Sequence, residues 1–477
     1  MKIAIISPYR TVAPHFEAEL EIAQQHLDQG DEVIFLSCHG QLSNCDFNVD
    51  REQATCSNCL GRRQHGLELL NNHCKPLEIT AAEDVPQIPA FASIEELMQW
   101  QVESFDVGYA ALSSLVSVVR DPEPDLQKHH ELLTRFIESA LTTWQQTLQF
   151  IKEHQPDRVY VYNGRFAAMR AVFRACQKLG VDCWMHERGC DVDHYDLLEN
   201  HLPHDIEGIE SVIRKLWSAA DPETRDAIGS GWFHDRVSRV EKSWHSFTKE
   251  QKEGLLPEGF DRTARNVSIF CSSDDEFVAI GDKWKNELYP NQVQAIAAIA
   301  DSMAQAAAET KLYLRVHPNL KSVDNARKRS MMSLNFPNLS VIAADSTVDT
   351  YALMKASEVV VTFGSSVGME AVFWDKPSVL LGPCLYQNLG GPTRSTSHQQ
   401  TVELLCSDLH AVADKTGALM YGHWFQTRGF RYQYFEATNL FEGKFKGQVV
   451  YDRAAARLAG KKPKRLRRWL KKWVGST

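Results

Sequence analysis

The stretch VVVTFGSSVGMEA, residues 359–371, decides the fold. Its first residues are β-branched, as is typical of a buried strand, and they stop at Gly364, Ser365 and Ser366. A helical pattern follows and includes Gly368 and Glu370. Such a turn is either a close-packed connection or an anion site, because the first turn of a helix has unbonded N–H groups and a positive dipole end. The stretch predicts a strand–turn–helix unit, and both interpretations of its turn stay open.

Strands and helices alternate on both sides of this stretch. Strand-like runs begin at Asn266 (NVSIFCSS), Lys311 (KLYLRVHP), Asn338 (NLSVIAA) and Lys376 (KPSVLLG). The first half of the chain has KIAIIS, DEVIFLS and DRVYVYNG, with helical runs between them. This alternation predicts parallel sheets covered by helices on both faces. We expect an α/β fold of two Rossmann-like domains that face each other across a cleft, with helical insertions and a basic amphipathic C-terminal helix.

The chain has 477 residues, which exceeds one ordinary hydrophobic core, so we expect two domains. The first is placed at residues 1–262 and contains a cysteine-rich loop at 38–75 and helical insertions. The second is placed at residues 263–445. A C-terminal segment at 446–477 contains the basic helix.

Composition excludes several classes of protein. The hydrophobic fraction is 43% and the charged fraction 24%, as in ordinary globular proteins. We expect no membrane span, because no apolar run approaches 18 residues. We expect no signal peptide, because the run KIAIISP after Met1 is followed by no small-residue cleavage site. Eleven cysteines without such a signal favour reduced thiols in the cytoplasm over a disulfide framework.

The C-terminal sequence GKKPKRLRRWLKKWVGST, residues 460–477, has a charge opposite to that of the whole chain. It contains eight Lys or Arg and no acid, whereas the chain carries a net charge of −9. Trp469, Leu470, Trp473 and Val474 share one face of a helix, and basic residues fill the rest. This pattern predicts that residues 461–477 bind the anionic cytoplasmic face of the inner membrane. A solvated or nucleic-acid-binding tail is the alternative, although the net negative charge argues against a nucleic-acid partner.

Polar residues follow the strands of the second domain, where ligands of parallel sheets bind. Gly364, Ser365 and Ser366 offer hydroxyl and N–H donors for a phosphate, and Glu370 can reach a ribose diol. The runs CSSDDEF and RVHPN add Ser272, Ser273, Arg315, His317 and Pro318. His317 alone is equally compatible with a local hydrogen bond at a strand end.

Two of these runs together resemble a known family. LRVHPN at 314–319, followed by VTFGSSVGMEAVFWDKPSVLLG at 361–382, resembles the donor half of GT-B glycosyltransferases. The similarity is greatest to transferases of bacterial capsule and surface polysaccharides, including Kdo and sialic-acid transferases and CDP-glycerol glycerophosphotransferases. It implies that the second domain binds a nucleotide-sugar donor, CMP-, UDP- or GDP-linked, and that the first binds the acceptor. It places His317–Pro318 and Ser365–Ser366 on the nucleotide and Glu370 near the ribose.

In the first domain, YNGRFAAMRA and MHERGCDVD end two expected strands. An inverting transferase needs a base on the acceptor hydroxyl, for which Glu187 and His186 are the candidates. Asn163, Arg165 and Arg188 are candidates for binding the acceptor or a phosphate. An Arg188–Glu187 ion pair that braces two loops is the structural alternative, and a retaining transfer would need no base.

Four cysteines lie close together in the sequence. Cys38, Cys45, Cys56 and Cys59 have the spacing C-x6-C-x10-C-x2-C. Four thiolates within one loop can hold zinc or a [4Fe–4S] cluster, and unrelated thiols are the alternative. We expect a structural or acceptor-loop role for this site, since glycosyl transfer in this fold needs no metal.

The sequence thus predicts a glycosyltransferase with a metal-independent transfer step. It would move a sugar from a nucleotide-sugar to a lipid-linked or polymeric glycan in the synthesis of capsule, O-antigen or another surface polysaccharide. Its expected location is the cytoplasmic membrane face, as a peripheral protein. The alternatives are a nucleotide-sugar 2-epimerase, a glycerophosphate-type transferase of the same fold, and a non-catalytic membrane-docked scaffold. Epimerases have an Asp-Ser-Gly-Gly-x-x-Glu-Glu turn, whose second Glu is missing here.

Overall fold

The computed structural model describes residues 1–71, 74–81, 86–410 and 413–450. Within these residues the chain divides into two compact units. Unit 1 contains Met1–Pro203 and the segment 428–450, and unit 2 contains His204–Thr427. The predicted basic helix at 461–477 lies outside the described residues.

The first part of unit 1 contains these elements: β1 (Lys2–Ser7), α1 (His15–Asp28), β2 (Glu32–Cys38), α2 (Gln53–Glu68), β3 (Lys75–Ile79), α3 (Ile94–Gln99), α4 (Val107–Val119), α5 (His130–His154), β4 (Arg158–Tyr162), α6 (Ala167–Leu179), β5 (Asp182–Arg188) and β6 (His194–Glu199). Unit 2 contains these: α7 (Ile206–Ala219), α8 (Arg225–Val237), β7 (Asn266–Phe270), α9 (Gln292–Ala306), β8 (Lys311–Arg315), α10 (Ala326–Met332), β9 (Leu339–Ile342), α11 (Thr350–Lys355), β10 (Val359–Thr362), α12 (Val367–Phe373), β11 (Ser378–Leu380), β12 (Thr393–Arg394), α13 (His398–Cys406) and α14 (Thr416–Thr427). The chain then returns to unit 1 with β13 (Phe430–Arg431), β14 (Phe435–Asn439) and β15 (Glu442–Phe445).

The sheet of unit 1 has the strand order β3-β2-β1-β4-β5-β6-β13. Strands β1 to β5 are parallel, and β6 and β13 are antiparallel additions at one edge. The order reverses between β1 and β4. Alternate residues of β1, Ile3 and Ile5, pack with Phe16 and Leu20 of α1, so that one face of the sheet is covered by this helix.

The sheet of unit 2 has the strand order β9-β8-β7-β10-β11-β12, and all its strands are parallel. Its order reverses between β7 and β10. Val359 and Val361 pack with Ile296 of α9, whereas Val360 packs with Met354 of α11 on the other face. The run of β-branched residues is therefore a strand buried on both faces, as the sequence predicts, and the two Rossmann-like units are confirmed.

The division into units differs from the boundaries placed at 262/263 and 445/446. Residues 204–262 pack on unit 2: the Phe233 ring of α8 stacks on Phe373 at 4.2 Å between centroids, and the Lys252 N–H donates to Thr347 O at 2.9 Å. Residues 428–445 belong to unit 1, where Glu21 of α1 accepts the N–H groups of residues 433–435. No helix of the described residues has both the length and the apolar composition of a membrane span.

Candidate functional site

Unit 2 has a group of polar residues at one edge of its sheet, which we call the unit 2 site: Ser272, Ser273, His317, Gly364, Ser365 and Ser366. In the register, Phe270 at the end of β7 pairs with both Arg315 and Thr362, the last residues of β8 and β10. Three neighbouring parallel strands therefore end at one level. The group emerges from these ends, as the sequence predicts.

The unit 2 site surrounds the point where the strand order reverses. Ser272 follows β7 and Gly364 follows β10, the two strands between which the reversal occurs. The crevice beyond such a point is where open parallel sheets bind ligands. Ser272 is 7% exposed, and its Oγ has no hydrogen-bond partner among the residues that the structure describes. A buried hydroxyl without a partner at this position is available to a ligand.

The Gly-Ser-Ser turn is held by close backbone packing. Gly364 has φ +116°, and a Cβ there would lie 2.8 Å from Pro383 O. Tyr386 Oη donates to Ser365 O at 2.6 Å, and a Cβ on Gly368 would lie 2.6 Å from the same Oη. The close-packed interpretation of the turn is therefore correct. Ser365 and Ser366 nevertheless remain half-buried rather than enclosed, so this packing leaves the second interpretation open.

His317 is positioned as a hydrogen-bond donor. The Asn319 N–H donates to His317 Nδ1 at 3.1 Å, so the neutral ring carries its proton on Nε2. The Phe247 ring packs edge-on against the imidazole at 5.4 Å between centroids. Asn319 also donates through Nδ2 to Ser273 Oγ at 3.3 Å. The turn that begins at Pro318 thus connects the ends of β7 and β8.

Two residues assigned to the ligand by the sequence face the interior of unit 2. Arg315 is 2% exposed and donates to Ala343 O and, at 3.0 Å, to Ser346 O. Burial lowers its pKa to about 10. Arg315 therefore holds the β9–α11 connection, and the structure corrects its predicted contact with the nucleotide.

Glu370 is fully buried, which corrects the predicted contact with ribose. Its carboxylate accepts from Tyr351 Oη at 2.6 Å and Ser366 Oγ at 2.9 Å, and pairs with Arg236 at 3.3 Å. These contacts tie the serine turn to α8 and α11. Sequence reasoning missed Arg236, Tyr351 and Tyr386, because they are distant in the chain and belong to no motif.

In unit 1, the polar residues lie at or just beyond the ends of β1, β4 and β5. We call them the unit 1 site: Tyr9, Arg10, His15, Asn163, Arg165, Tyr162, His186, Glu187 and Arg188. Tyr9 and Arg10 follow β1, and Asn163 follows β4, on either side of the reversal in strand order. Arg10 is 9% exposed, and its Nε has no hydrogen-bond partner among the described residues.

The two candidate bases differ in their surroundings. His186 is fully buried, and its Nε2 lies 3.4 Å from Oε1 of Glu19, which is also fully buried. Tyr9 Oη donates to the same Oε1 at 3.0 Å, and the rings of His15 and Tyr162 are 4.1 Å apart. His186 is therefore part of an internal network with α1.

Glu187 is the more accessible candidate, because it is half-buried. Asn163 Nδ2 donates to its Oε1 at 2.5 Å. Burial raises the pKa of the Glu187 carboxyl, and the bond from Asn163 and the nearby His186 oppose this rise. A carboxylate with a raised pKa is suited to accept a proton from a hydroxyl.

The candidate arginines have different environments. Arg188 Nη1 donates to Leu440 O at 2.7 Å, and its guanidinium lies 5.0 Å from the centre of the Phe441 ring. Burial lowers the pKa of Arg188. Arg165 is 7% exposed and stacks on Phe166 at 4.5 Å. Arg188 therefore fixes the turn after β14, and Arg165 remains beside the strand ends.

The segment predicted as a cysteine-rich loop at 38–75 contains helix α2, which corrects that prediction, and the four cysteines surround the start of this helix. Cys38 ends β2, Cys45 lies in the following loop, and Cys56 and Cys59 lie one turn apart on α2. All four are half-buried free thiols. Burial raises the pKa of the Cys45 thiol, and Asp46, Cys59 and Cys38 raise it further.

A different set of residues has the compact geometry of a small metal site. In the described part of the chain, Cys190, Asp191 and His194 are the group whose ligand atoms all lie within 4.8 Å of one another. They form the turn between β5 and β6, where His194 Nδ1 and Asp191 Oδ1 are 2.5 Å apart. The four-cysteine metal site stays a prediction, and the sequence did not single out this second group.

A family model described as capsule polysaccharide biosynthesis protein matches residues 274–405. The segment contains His317 and the Gly-Ser-Ser turn, so the resemblance predicted from these motifs is confirmed over this part of the chain. Comparison with curated proteins gives no significant match.

Solved structures resemble the chain at low identity. The KpsC beta Kdo 2,4 transferase of Thermosulfurimonas dismutans is 12% identical, with coverage of 64% of this chain and 87% of that one and a TM-score of 0.38. The beta Kdo 2,7 transferase of the same protein is 12% identical, with coverage of 58% and 80% and a TM-score of 0.34. A UDP-GlcNAc 2-epimerase from Neisseria meningitidis, bound to UDP-GlcNAc, is 9% identical, with coverage of 96% and 100% and a TM-score of 0.26. Similarities of this size identify no activity.

Proposed function

We propose that this chain is a glycosyltransferase of capsule or other surface polysaccharide synthesis, with a nucleotide-sugar bound by unit 2. The observation that carries the proposal is the unit 2 site at the reversal of the strand order, most of which lies in the segment that matches the capsule family model. The acceptor is a lipid-linked or polymeric glycan. This is the function that the sequence predicts.

Unit 2 supplies the donor half of the chemistry. His317 donates through Nε2, and Ser272, Ser365 and Ser366 donate through their hydroxyls, to the diphosphate or monophosphate of the donor. Glu370 and Arg315 position these groups from the interior. Stabilisation of the leaving phosphate requires no metal in this arrangement, because the hydrogen-bond donors are fixed before the ligand arrives.

Unit 1 supplies the acceptor half. Glu187 removes the proton from the attacking hydroxyl in an inverting transfer, held in orientation by Asn163. Arg10 and Arg165 are cations near the strand ends that suit a phosphate or carboxylate on the acceptor. Zinc or an iron–sulfur cluster is bound beside this site by Cys38, Cys45, Cys56 and Cys59.

The location proposed is the cytoplasmic face of the membrane. Residues 461–477 provide cations and two tryptophans for an anionic bilayer. This attachment would keep the enzyme beside a lipid-linked acceptor and so raise the local concentration of the acceptor at the enzyme.

Binding of free nucleotides tests the donor site. Isothermal titration of the folded chain with CMP, UDP, GDP and CDP is expected to show binding of at least one. Ser272→Ala should weaken that binding by roughly tenfold or more, because a hydrogen bond to a charged group is lost. The same substitution should not lower Tm, since Ser272 Oγ has no protein partner among the described residues.

Ser340→Ala is the matched control, because Ser340 is exposed on the edge strand β9 of the same unit. It should bind the nucleotide as the unaltered chain does. Failure of the folded chain to bind any of the four nucleotides would contradict the proposal. Interconversion of C2 epimers of a nucleotide-sugar without an acceptor would identify the epimerase alternative, and nucleotide binding without any turnover would identify the scaffold.

A further inference from the structure

Three of the four cysteines around the start of α2 have an N–H donor aimed at the sulfur atom. The Thr11 N–H donates to Cys59 Sγ at 3.3 Å, and the Gly40 N–H to Cys38 Sγ at 3.3 Å. Asn48 Nδ2 donates to Cys56 Sγ at 3.2 Å. Three of the four sulfurs thus accept a hydrogen bond from an N–H group.

This pattern is typical of sulfur atoms that bind a metal. A thiol is a weak acceptor, and N–H bonds to sulfur are a feature of the surroundings of metal-bound cysteines. The three N–H groups therefore favour a metal or a cluster as the partner of these sulfurs.

The spacing of the sulfurs distinguishes between the two metals that the sequence left open. Tetrahedral zinc, with Zn–S bonds of about 2.3 Å, requires ligand sulfurs about 3.8 Å apart. Among the described residues, no three of these four thiols come within 4.8 Å of one another, since the only group to do so is Cys190, Asp191 and His194. A [4Fe–4S] cluster is larger than a single zinc ion, so the cysteine sulfurs that bind it lie farther apart.

We propose that Cys38, Cys45, Cys56 and Cys59 bind a [4Fe–4S] cluster that fixes the β1–α1 loop of unit 1. This inference extends the metal-binding part of the proposed function. A preformed cluster passes to these cysteines from four thiolates of a carrier: four Fe–S bonds to the carrier break, four to this chain form, and the protons of the four cysteine thiols pass to the carrier thiolates. The cluster undergoes no turnover in this role, so no oxidant or reductant is required.

The contacts from this loop show what the cluster would fix. Thr11 Oγ1 donates to Cys59 O at 3.2 Å, in addition to the bond from its N–H. Arg63 of α2 is 2% exposed and donates to the carbonyls of Cys38, Ser7 and Tyr9. The end of β1, the end of β2 and α2 are therefore joined at the cysteines. Tyr9 of the unit 1 site extends from this junction to the buried carboxylate of Glu19.

Analysis of the full chain purified without oxygen tests the proposal. We expect about four iron and four sulfide per chain, with a visible charge-transfer absorption that is bleached by dithionite. Serine in place of each of the four cysteines, one at a time, should abolish the absorption. Cys406→Ser is the control and should retain it, because Cys406 is exposed on α13 of unit 2.

Zinc or two irons per chain would overturn the proposal. A folded chain that takes up no cluster from equal amounts of ferrous and ferric iron with sulfide, without oxygen, would also overturn it. If a serine variant does not fold, the metal and sulfide content of the unaltered chain decides by itself. Hydrogen exchange tests the positioning role: the Thr11 amide should exchange at least tenfold faster in Cys59→Ser, whereas equal protection would refute that role.

Nucleotide titration separates this inference from the donor proposal. The cysteines belong to unit 1, so Cys59→Ser should bind the preferred nucleotide as the unaltered chain does. Normal nucleotide binding by a chain without iron would refute the cluster alone. An iron-containing chain without nucleotide binding would refute the donor site alone.

Discussion

Glu187 is the residue on which the proposed chemistry most directly depends. We expect Glu187→Gln to lower kcat by about 10²- to 10⁴-fold, the usual range for loss of a general base, with little change in nucleotide affinity. Glu199→Gln, at the exposed end of β6, is the matched control. Retention of full activity by Glu187→Gln would exclude this carboxylate as the base.

The pH dependence of kcat/KM provides an independent check. The base must be deprotonated to act, and burial raises the pKa of Glu187, so the acid limb should lie above that of an ordinary glutamate. The bond from Asn163 opposes this rise. Asn163→Ala removes that bond, and the acid limb is therefore expected to move to still higher pH. Movement to lower pH would contradict the assignment.

The buried carboxylate of Glu370 leads to a prediction about stability. Tyr351→Phe removes an O–H donor from a fully buried, charged acceptor and should lower the free energy of unfolding by about 1.5–3 kcal/mol. Tyr434→Phe, whose bond to Asp28 lies at the surface, should cost far less. Urea denaturation of both variants measures the difference, and equal midpoints would show that the Glu370 network contributes no stability.

The position of a side chain along a strand could be predicted from sequence, but its direction could not. The motifs located Ser272, His317 and Ser365 at strand ends correctly. They also suggested ligand contacts for Arg315 and Glu370, whose partners are carbonyls of residues 343 and 346 and the side chains of residues 236 and 351. Those partners come from segments that carry no pattern, so only the packed structure reveals them.

At the scale of elements, the β10–α12 turn is limited by backbone packing. Gly364→Ala is expected to lower stability by about 1–3 kcal/mol, because φ is +116° and the new Cβ would meet Pro383 O at 2.8 Å. Gly61→Ala is the control: Gly61 lies in α2, with nothing within 4 Å of the new Cβ. Helix propensity predicts that this control gains about 0.5–1 kcal/mol. Thermal unfolding of the two variants should therefore shift in opposite directions.

Most strands of both sheets could be predicted because buried parallel strands have β-branched runs and regular spacing, whereas the exposed edge strands β3 and β12 could not. The antiparallel strands at the edge of the unit 1 sheet could not be predicted. Strand β6 is half polar and β13 has two residues, and β13 pairs with a strand more than 200 residues earlier in the chain. Pairing over such a distance is set by tertiary packing and has no local signal.

At the scale of the whole molecule, the C-terminal sequence determines attachment to the membrane in our proposal. Deletion of residues 461–477 should abolish co-sedimentation with vesicles containing anionic lipid, and binding of the full chain should weaken as salt increases. Neutral vesicles should bind neither form. Undiminished sedimentation of the deletion variant would contradict the membrane role of these residues.

The composition of the chain predicts two compact units, whereas the path of the chain between them could not be predicted. Residues 204–262, which contain α7 and α8, have no sequence signal that assigns them to one unit, and the structure places them in unit 2. The segment 428–445 follows unit 2 in sequence but completes the edge of unit 1, because Glu21 binds its backbone.

This path has a consequence for synthesis on the ribosome. Among the described residues, unit 2 is a continuous segment, His204–Thr427, whereas unit 1 also needs residues 428–450. The N-terminal unit must therefore wait with the edge beside β6 unpaired while more than 220 further residues are translated, and domains generally fold as units. Unit 2 can thus reach its native state first, although it comes later in the chain. Unit 1, whose first segment is translated before unit 2, is completed last.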